Sequence, residues 1–227
     1  MNARKSEKRT KINRKGWKIW SFAGLLLLVA ALLLVLYNNW ESRLAGERSA
    51  EVIAALEEQI PEPAPAGSDA EENRASSGGE DAASENREMP TIEIDGYRYI
   101  GYLECPSIHL KLPVMEEWDY TRLKTAPCRY SGSVYKNDMV IAGHNYARHF
   151  SPLRWQKIGT EINFIDAEGI LYPYEISDIE ILNPTSIREM TQDSKDWDLT
   201  LFTCTIGGQS RYTIRCVRTD GRDNAEG

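Results

Sequence analysis

A cysteine and an arginine on either side of a Gly-Gly turn are the residues of this sequence best placed to do chemistry. Cys204 closes a run of β-type residues, Gly207 and Gly208 follow, and Arg211 opens the returning run. If the two glycines form the centre of a tight hairpin, Cys204 lies directly opposite Arg211 on the same face of the sheet. A neighbouring guanidinium favours a thiolate and can stabilise a developing oxyanion. The pattern therefore predicts a nucleophilic thiol that needs a base.

The base has three candidates, His109, His144 and His149, because the chain holds three histidines. Residues 139–142 form a short apolar run that is typical of a buried strand. A glycine follows this run, so His144 lies just beyond the end of the expected strand. His149 is the alternative base and is expected to face solvent or to line a wall beside Phe150. His109 lies in an early strand candidate and is expected to be structural. The spacing therefore favours His144.

Arg215 is the alternative to Arg211, since the two lie on the same face of one strand. The hairpin register places Arg215 opposite Thr200, too far from the sulfur, and therefore favours Arg211. Each candidate also has an ordinary interpretation: a buried structural thiol, a loop histidine bonded to backbone, and a surface ion pair. The position of the cysteine at a strand end, opposite a cation, favours catalysis.

Three sequence elements resemble the signature of sortases, the cysteine transpeptidases of bacterial cell surfaces. They are, in chain order, Ala142-Gly143-His144-Asn145, the TLxTC residues Thr200, Leu201, Thr203 and Cys204, and Arg211 seven residues later. The order of histidine, cysteine and arginine is that of sortases, and the resemblance extends roughly over residues 96–218. The N-terminal apolar segment is also similar.

The resemblance implies a transpeptidase that cleaves an LPxTG-like sorting signal between Thr and Gly. In that scheme Cys204 forms a thioacyl-enzyme, Arg211 stabilises the oxyanion and His144 protonates the leaving amine. An amine of peptidoglycan or of a pilin then resolves the thioester. By analogy of position, Ala142 and Thr203 line the substrate groove.

Other classes of protein fit the sequence less well. Papain-like and NlpC-type enzymes place the cysteine before the histidine, which is the reverse order. The L,D-transpeptidases require a Ser-His-Gly-Cys run, which is missing. The non-enzymatic alternative is a membrane-tethered β-barrel that binds sorting-signal peptides without turnover, and the presence of all three reactive residues disfavours it.

Residues 19–37 form an uncharged apolar stretch long enough to cross a bilayer as a helix. Residues 1–18 precede it with eight Lys and Arg side chains and a single acid, Glu7. The positive-inside rule therefore predicts a cytoplasmic N-terminus, a single pass through the cell membrane and an extracellular chain beyond residue 40. A cleaved signal peptide is the alternative, but the stretch is too long for a usual signal and lacks a convincing Ala-x-Ala site.

The charge differs between the two sides of the membrane. The formal net charge of the chain is −7 and the basic tail contributes +7, so the extracellular part carries about −14. A strongly acidic domain argues against nucleic-acid binding. We interpret the basic tail as a topology determinant that contacts lipid headgroups.

Residues 38–60 are expected to form a juxtamembrane helix. Apolar side chains recur there at helical spacing, at Leu44, Val52, Leu56 and Ile60. The favoured interpretation is a stalk, and packing on the folded domain is the alternative. Residues 61–89 are rich in Pro, Gly, Ser and acids and contain no aromatic residue, which predicts a disordered acidic spacer that lifts the folded unit off the membrane.

Residues 90–220 carry a β-type pattern, and residues 221–227 are predicted to form a C-terminal tail. Many short strands in about 130 residues predict a mainly all-β fold with one closed or nearly closed barrel and short helices. The resemblance to sortases implies a closed eight-stranded β-barrel, of a compact type because no bulky insertion precedes residue 199. The strand candidates are residues 92–94, 97–102, 110–114, 139–142, 161–165, 172–179, 199–204 and 212–217, with helical turns near 119–124 and 150–154.

The remaining cysteines have structural interpretations. Cys216 lies on the apolar face of the last strand and is expected to be a small core residue. Cys105 and Cys128 either pair as an extracellular disulfide or stay free, and one sequence does not decide between these. No Cys-x-x-Cys motif occurs, and two histidines alone do not make a zinc site, so neither a metal nor a cofactor is expected.

Overall fold

The computed structural model describes residues 14–66, 87–191, 196–205 and 207–220, with side chains from residue 19 onward. Residues 1–13 of the expected basic tail, 67–86 of the expected spacer and the expected tail at 221–227 lie outside the described residues. The chain divides into two units, Met1–Glu41 and Ser42–Gly227, and each is described by itself.

The first unit contains the apolar part of a long helix. This helix, α1 (Arg14–Gln59), has 46 residues. Its stretch from Ile19 is long and apolar enough to cross a membrane, and the most apolar part of it is not covered by protein. An apolar helical surface without protein packing suits lipid, so the expected span at 19–37 corresponds to a candidate single-pass anchor.

The second unit begins with the C-terminal part of α1, which packs against the β-domain and does not stand free as a stalk. Its buried side chains follow one helical face and are Ser42, Ala45, Ser49, Ile53 and Leu56, with Ile60 just beyond the helix. Leu56 is fully buried in a cluster that includes Tyr99 and Met115. Each fully buried Leu or Ile contributes about 1.5–3 kcal/mol. The favoured stalk interpretation is therefore wrong, and the alternative of packing on the folded domain is confirmed.

Ten strands of the described residues form one continuous sheet, and eight of them close into a barrel. In chain order the strands are β1 (Ala64–Pro65), β2 (Ile92–Ile94), β3 (Tyr97–Cys105), β4 (Leu110–Met115), β5 (Cys128–Ser131), β6 (Met139–Ala142), β7 (Glu161–Asp166), β8 (Ile170–Leu182), β9 (Leu199–Cys204) and β10 (Arg211–Arg218). Around the barrel the order is β8-β10-β9-β6-β5-β4-β3-β7, and β7 pairs with β8 to close the ring. Outside the ring, β1 pairs with β8 and β2 with β3. The expected eight-stranded barrel is confirmed.

Short helical segments connect the strands. They are α2 (Ile187–Thr191), which precedes β9, and the 3₁₀ turns Pro106–Ile108, Arg122–Lys124 and Ser151–Trp155. The last two turns confirm the helical turns expected from sequence. The expected strands are also present, and β6 and β9 have the expected bounds. The short strands β1 and β5 and the helix α2 were not predicted.

The two described ends of the expected spacer both pack at the turn between β7 and β8. At the first end, β1 pairs in parallel with the start of β8. At the second end, Arg87 forms an ion pair with Glu168 at 2.7 Å, and Met89 is buried in the barrel core. The expectation of disorder over residues 61–89 is therefore wrong at both ends, where a short strand and a buried side chain hold the chain on the barrel.

The three cysteines outside the reactive hairpin are buried thiols. Cys105 and Cys216 lie in the barrel core, and Cys128 lies in the cluster beneath α1. All four cysteines of the chain are free. Cys105 and Cys128 belong to different clusters, so the alternative of a disulfide between them is wrong. Burial raises the pKa of the Cys128 thiol to about 12, and the expectation that Cys216 is a core residue is confirmed.

Asp166, at the end of β7, is a buried acid that should make stability depend on pH. Burial raises the pKa of its carboxyl to about 6, although the backbone N–H groups of Ile170 and Glu168 donate to it and act in the opposite direction. Because this pKa lies above the ordinary value of 3.8, the contribution of Asp166 to stability is complete below about pH 4 and is lost as the pH rises through about 6.

We therefore expect Asp166→Asn to flatten the fall in the free energy of unfolding between about pH 4 and pH 7, an effect on the order of 2–3 kcal/mol. Urea unfolding at several pH values measures it. Asp95→Asn, at the exposed turn between β2 and β3, is the control and should keep the slope of the unaltered protein. The same slope in Asp166→Asn would show that another group is responsible.

Candidate active site

Three adjacent strands bring the predicted reactive residues to one edge of the barrel. β6 and β9 run in parallel, and Ala142 pairs with Phe202 at the end of their register. His144 and Cys204 each follow this pair by two residues, so they lie at the same level at this edge of the barrel. β10 runs antiparallel to β9 and pairs Arg211 with Cys204, as the hairpin pattern predicted. The strand register thus assembles a histidine, a thiol and a guanidinium.

Cys204 lies on the outer face of the barrel. Side chains alternate along β9, and Leu199 and Leu201 belong to the core cluster. Phe202 and Cys204 therefore occupy the opposite face, and Cys204 is partly exposed. The other three cysteines are fully buried. Cys204 is thus the thiol that an external substrate can reach.

Arg211 is held beside the turn that joins β9 to β10. Gly207 and Gly208 have φ angles of 86° and 72°, in the left-handed region that glycine tolerates best. The Nη1 group of Arg211 donates to the backbone carbonyls of Gly208 at 3.2 Å and Ser210 at 3.1 Å. A guanidinium has five N–H groups, so these two bonds leave donors for an anionic ligand.

His144 stacks on Tyr146, a residue that sequence reasoning missed. The ring centroids lie 3.7 Å apart and the ring planes differ by 23°. Tyr146 is buried, whereas His144 is partly exposed. The tyrosine therefore gives the imidazole a flat support and leaves it accessible. An aromatic residue two positions after a histidine is a weak signal, which is why the sequence did not reveal this contact.

His149, the alternative base, is separated from solvent. It was expected to face solvent or line a wall, but it is fully buried and its Nε2 lies 3.3 Å from Oγ of Ser49 in α1. Burial lowers its pKa to about 4, and the nearby charge of His144 acts in the same direction. His109 is exposed at the end of a 3₁₀ turn and has a φ of 51°. The expectation that it lies in a strand is therefore wrong. The accessible histidine at this edge is His144.

Arg215, the alternative cation, is built into the barrel wall. It is 2% exposed and lies opposite Thr200, as the hairpin register predicted. Its guanidinium donates to Oγ1 of Thr200 at 2.9 Å, to the carboxylate of Glu180 at 2.9 Å and to the backbone carbonyl of Glu189 at 2.7 Å. These contacts hold it in the structure and leave the other arginine as the cation beside the thiol.

An apolar cluster on the outer face lies next to the reactive residues, with buried central members and a partly exposed border. This outer patch consists of Val140, Ala142, Met190 and Phe202, bordered by Leu123, Tyr130 and Leu182. Ala142, predicted to line a groove, belongs to it. Thr203 does not, because strand alternation places it on the same face as Leu201, toward the barrel core. The prediction that Thr203 lines the groove is therefore wrong.

The side chains at this edge have complementary chemical capacities. Among the described residues, no cluster of three or more His, Cys, Asp or Glu side chains is arranged to hold a metal ion. The thiol of Cys204 can attack an electrophile, the imidazole of His144 can move a proton, and the guanidinium of Arg211 can bind an oxyanion. Attack on a carbonyl carbon uses all three.

Comparison with known sequences identifies relatives of the barrel. The family model described as Sortase domain matches residues 103–219, which is slightly more than half of the chain. Sortase A of Bacillus anthracis is 26% identical over 134 residues, which cover 56% of this chain and 63% of that protein. The chain thus spans less than two thirds of the length of this curated relative.

Comparison with solved structures finds similar proteins. The Clostridium perfringens sortase D5 transpeptidase superposes with a TM-score of 0.54 at 18% identity and covers 76% of this chain and 99% of that one. Sortase C1 from Streptococcus agalactiae superposes with a TM-score of 0.49 at 25% identity, over 57% of this chain and 72% of that one. The first of these likenesses shows a common fold.

Proposed function

The chain belongs to the sortase family, and we propose that it is a membrane-anchored cysteine transpeptidase that acts on sorting-signal proteins. The observation that carries this proposal is the common level of His144, Cys204 and Arg211 at one edge of the barrel. The family gives the class of reaction, and the strand register supports the assignment of these three residues to it.

The first half-reaction forms a thioacyl-enzyme. Cys204, as a thiolate and with His144 protonated, attacks the threonine carbonyl carbon of the Thr–Gly bond in an LPxTG-like signal, and the carbonyl oxygen becomes an oxyanion as the C–S bond forms. The N–H groups of Arg211 stabilise that charge. Collapse of the tetrahedral intermediate breaks the C–N bond, and His144 gives a proton to the departing glycine amine.

The second half-reaction transfers the acyl group to a primary amine of peptidoglycan or of a pilin. The amine attacks the thioester, and His144 accepts a proton from it as the new C–N bond forms. Cys204 leaves as a thiolate when the C–S bond breaks. His144 thereby regains the proton that it gave in the first half-reaction, and the enzyme returns to its starting state.

The outer patch, whose accessible part is its border of Leu123, Tyr130 and Leu182, is the proposed seat for the apolar part of the sorting signal. Its members Ala142 and Phe202 lie two positions before the reactive histidine and cysteine on their strands, so a peptide on the patch leads to the sulfur. Tyr130 meets Phe202 edge-on with ring centroids 5.4 Å apart, and Trp118 packs on Tyr130 at 5.0 Å. An aromatic and aliphatic surface of this kind suits the Leu and Pro side chains of the signal.

Charge supports an extracellular position for the catalytic domain. Basic residues are concentrated at 1–18, before the candidate membrane span. By the positive-inside rule, this tail stays in the cytoplasm and the chain after the span lies outside. Sorting-signal proteins and cell-wall amines are available to the enzyme on that side.

Intact-mass spectrometry of the full-length protein in detergent, incubated with a library of LPxTG-like pentapeptides, tests the proposal. We expect a covalent adduct with the mass of the acyl fragment, mapped by proteolysis to Cys204 and removed by an added primary amine. An adduct on another residue would refute the assignment of the nucleophile. Peptide binding without an adduct from any member of the library would refute turnover and favour a binding module.

A further inference from the structure

His149, a buried histidine that the proposed mechanism leaves unused, is joined to the helix α1. Its Nε2 lies 3.3 Å from Oγ of Ser49. Ser49 uses its single hydroxyl proton to bond the backbone carbonyl of Thr125 at 3.2 Å. With that proton used, the oxygen of Ser49 accepts a hydrogen bond from the Nε2–H group of His149. This contact selects the neutral Nε2–H tautomer, in agreement with the burial that lowers the pKa of this ring to about 4.

Tyr146 connects this buried histidine to the reactive one. The rings of Tyr146 and His149 meet edge to face with centroids 5.5 Å apart and planes at 62°. The ring of Tyr146 also stacks on His144 at 3.7 Å. His149 is 0% exposed and Tyr146 is 4% exposed. With the partly exposed His144, these rings form a column from α1 to the barrel edge. A rotation of either buried ring would tilt the imidazole above it.

The backbone of the same loop is held from the same face of the helix. Oγ of Ser42 accepts a hydrogen bond from the N–H of Ala147 at 3.2 Å. Gly46 lies against the Arg148 side chain, which would have to shift to admit a Cβ at that position. Ser42, Gly46 and Ser49 are four and three residues apart and therefore share one helical face. α1 thus fixes the histidine loop at three points.

We propose that His149 is a positioning residue which, held by Ser49, fixes the ring of Tyr146 and through it the plane of the His144 imidazole. The proposal rests on the role of His144 as proton donor in the proposed function. It makes the face of α1 that carries Ser49 a part of the catalytic arrangement. The groups that face His149 suit a neutral ring, since Ser49, Tyr146 and the backbone of Ala45 carry no charge. A cation at His149 would repel a protonated His144.

Histidine NMR on the full-length protein in detergent micelles tests the proposal, because three histidines give three assignable sets of ring signals. Stacking on Tyr146 should place the ring protons of His144 upfield of those of exposed His109. We expect Ser49→Ala to move the His144 signals toward their positions in Tyr146→Leu. Acyl-enzyme formation at saturating peptide should slow about fivefold to tenfold with KM unchanged, the effect of one lost hydrogen bond. Ser49→Thr keeps the hydroxyl and should restore both readouts.

A second variant and a control make the test specific. His149→Phe keeps a ring against Tyr146 but cannot bond Ser49, and so it should behave like Ser49→Ala. Ser133→Ala removes another buried serine hydroxyl and should change neither readout. Unmoved His144 signals in Ser49→Ala would overturn the proposal, as would moved signals with an unchanged rate. An unaltered protein that never forms an acyl-enzyme would refute the proposed function, while its NMR signals would still show whether Ser49 fixes the ring.

Discussion

Replacing Cys204 with alanine is expected to abolish acyl-enzyme formation and transpeptidation, with a loss on the order of 10⁴–10⁶ in kcat. In the proposed mechanism the sulfur of Cys204 forms the covalent bond to substrate, and no neighbouring side chain can take its place. The fold should survive, because Cys204 is partly exposed at the end of β9 and loses one atom. Peptide cleavage followed by chromatography measures the loss, and thermal unfolding verifies the fold.

Cys128→Ala is the matched control for this variant. It removes a thiol that is fully buried beneath α1, and so it should lower stability and leave the rate per folded molecule unchanged. Iodoacetamide should correspondingly label Cys204 in the native protein and spare the three buried thiols. Undiminished cleavage by Cys204→Ala would remove the basis of the proposed mechanism.

Replacing Arg215 with methionine is expected to lower the free energy of unfolding by about 3 kcal/mol. The guanidinium is 2% exposed and lies 4.1 Å from the centre of the Trp197 ring. Its loss leaves the hydroxyl of Thr200 and the backbone carbonyl of Glu189 without their donors. Glu180 retains partial contact with solvent, which puts the loss at the lower end of values for broken buried ion pairs. Urea unfolding measures it.

Arg211→Met is the matched control, since Arg211 lies on the same strand and by alternation on the same face. Its side chain bonds two carbonyls of an exposed turn, so the free energy of unfolding should change by less than about 1 kcal/mol. The rate of acylation should instead fall about 10²–10³-fold, as for the loss of an oxyanion donor. The opposite pattern, with Arg215 needed for rate and Arg211 for stability, would exchange the roles assigned to the two arginines.

The reactive hairpin could be predicted because its register depends on local residues. Two adjacent glycines fix the turn, and counting outward from them pairs Cys204 with Arg211 and Arg215 with Thr200, as the structure does. The turn at Asp95 between β2 and β3 was readable for the same reason, since Asp-Gly favours the left-handed angles found there. Period-two alternation also places Thr203 on the opposite face of β9 from the sulfur of Cys204. The prediction that Thr203 lines the groove therefore conflicts with the same rule.

The packing of α1 could not be predicted because its contact face carries little hydropathy signal. The buried positions nearest the reactive loop are Ser42, Ala45 and Ser49, which are small and weakly apolar. Small residues allow a helix to approach closely, and their burial depends on the shape of the partner surface. The apolar stripe that the sequence did show identified Leu56 and Ile60 and missed the face that touches the loop.

The contacts that join His144 to α1 could not be predicted from the sequence for a different reason. Ser49 and His149 are 100 residues apart in the chain, and no local pattern relates them. Their contact exists because the helix and the barrel pack together, and burial then turns a plausible loop base into a neutral ring. Such tertiary contacts become apparent when the whole domain is assembled.

The acidic segment leaves the barrel and returns to it at the same turn, through β1 at one end and Arg87 at the other. The helix has already joined the barrel before this segment begins, since residues 42–60 pack within the same unit. Residues 67–86 therefore connect two fixed points of one domain, and their number does not set the reach of the enzyme.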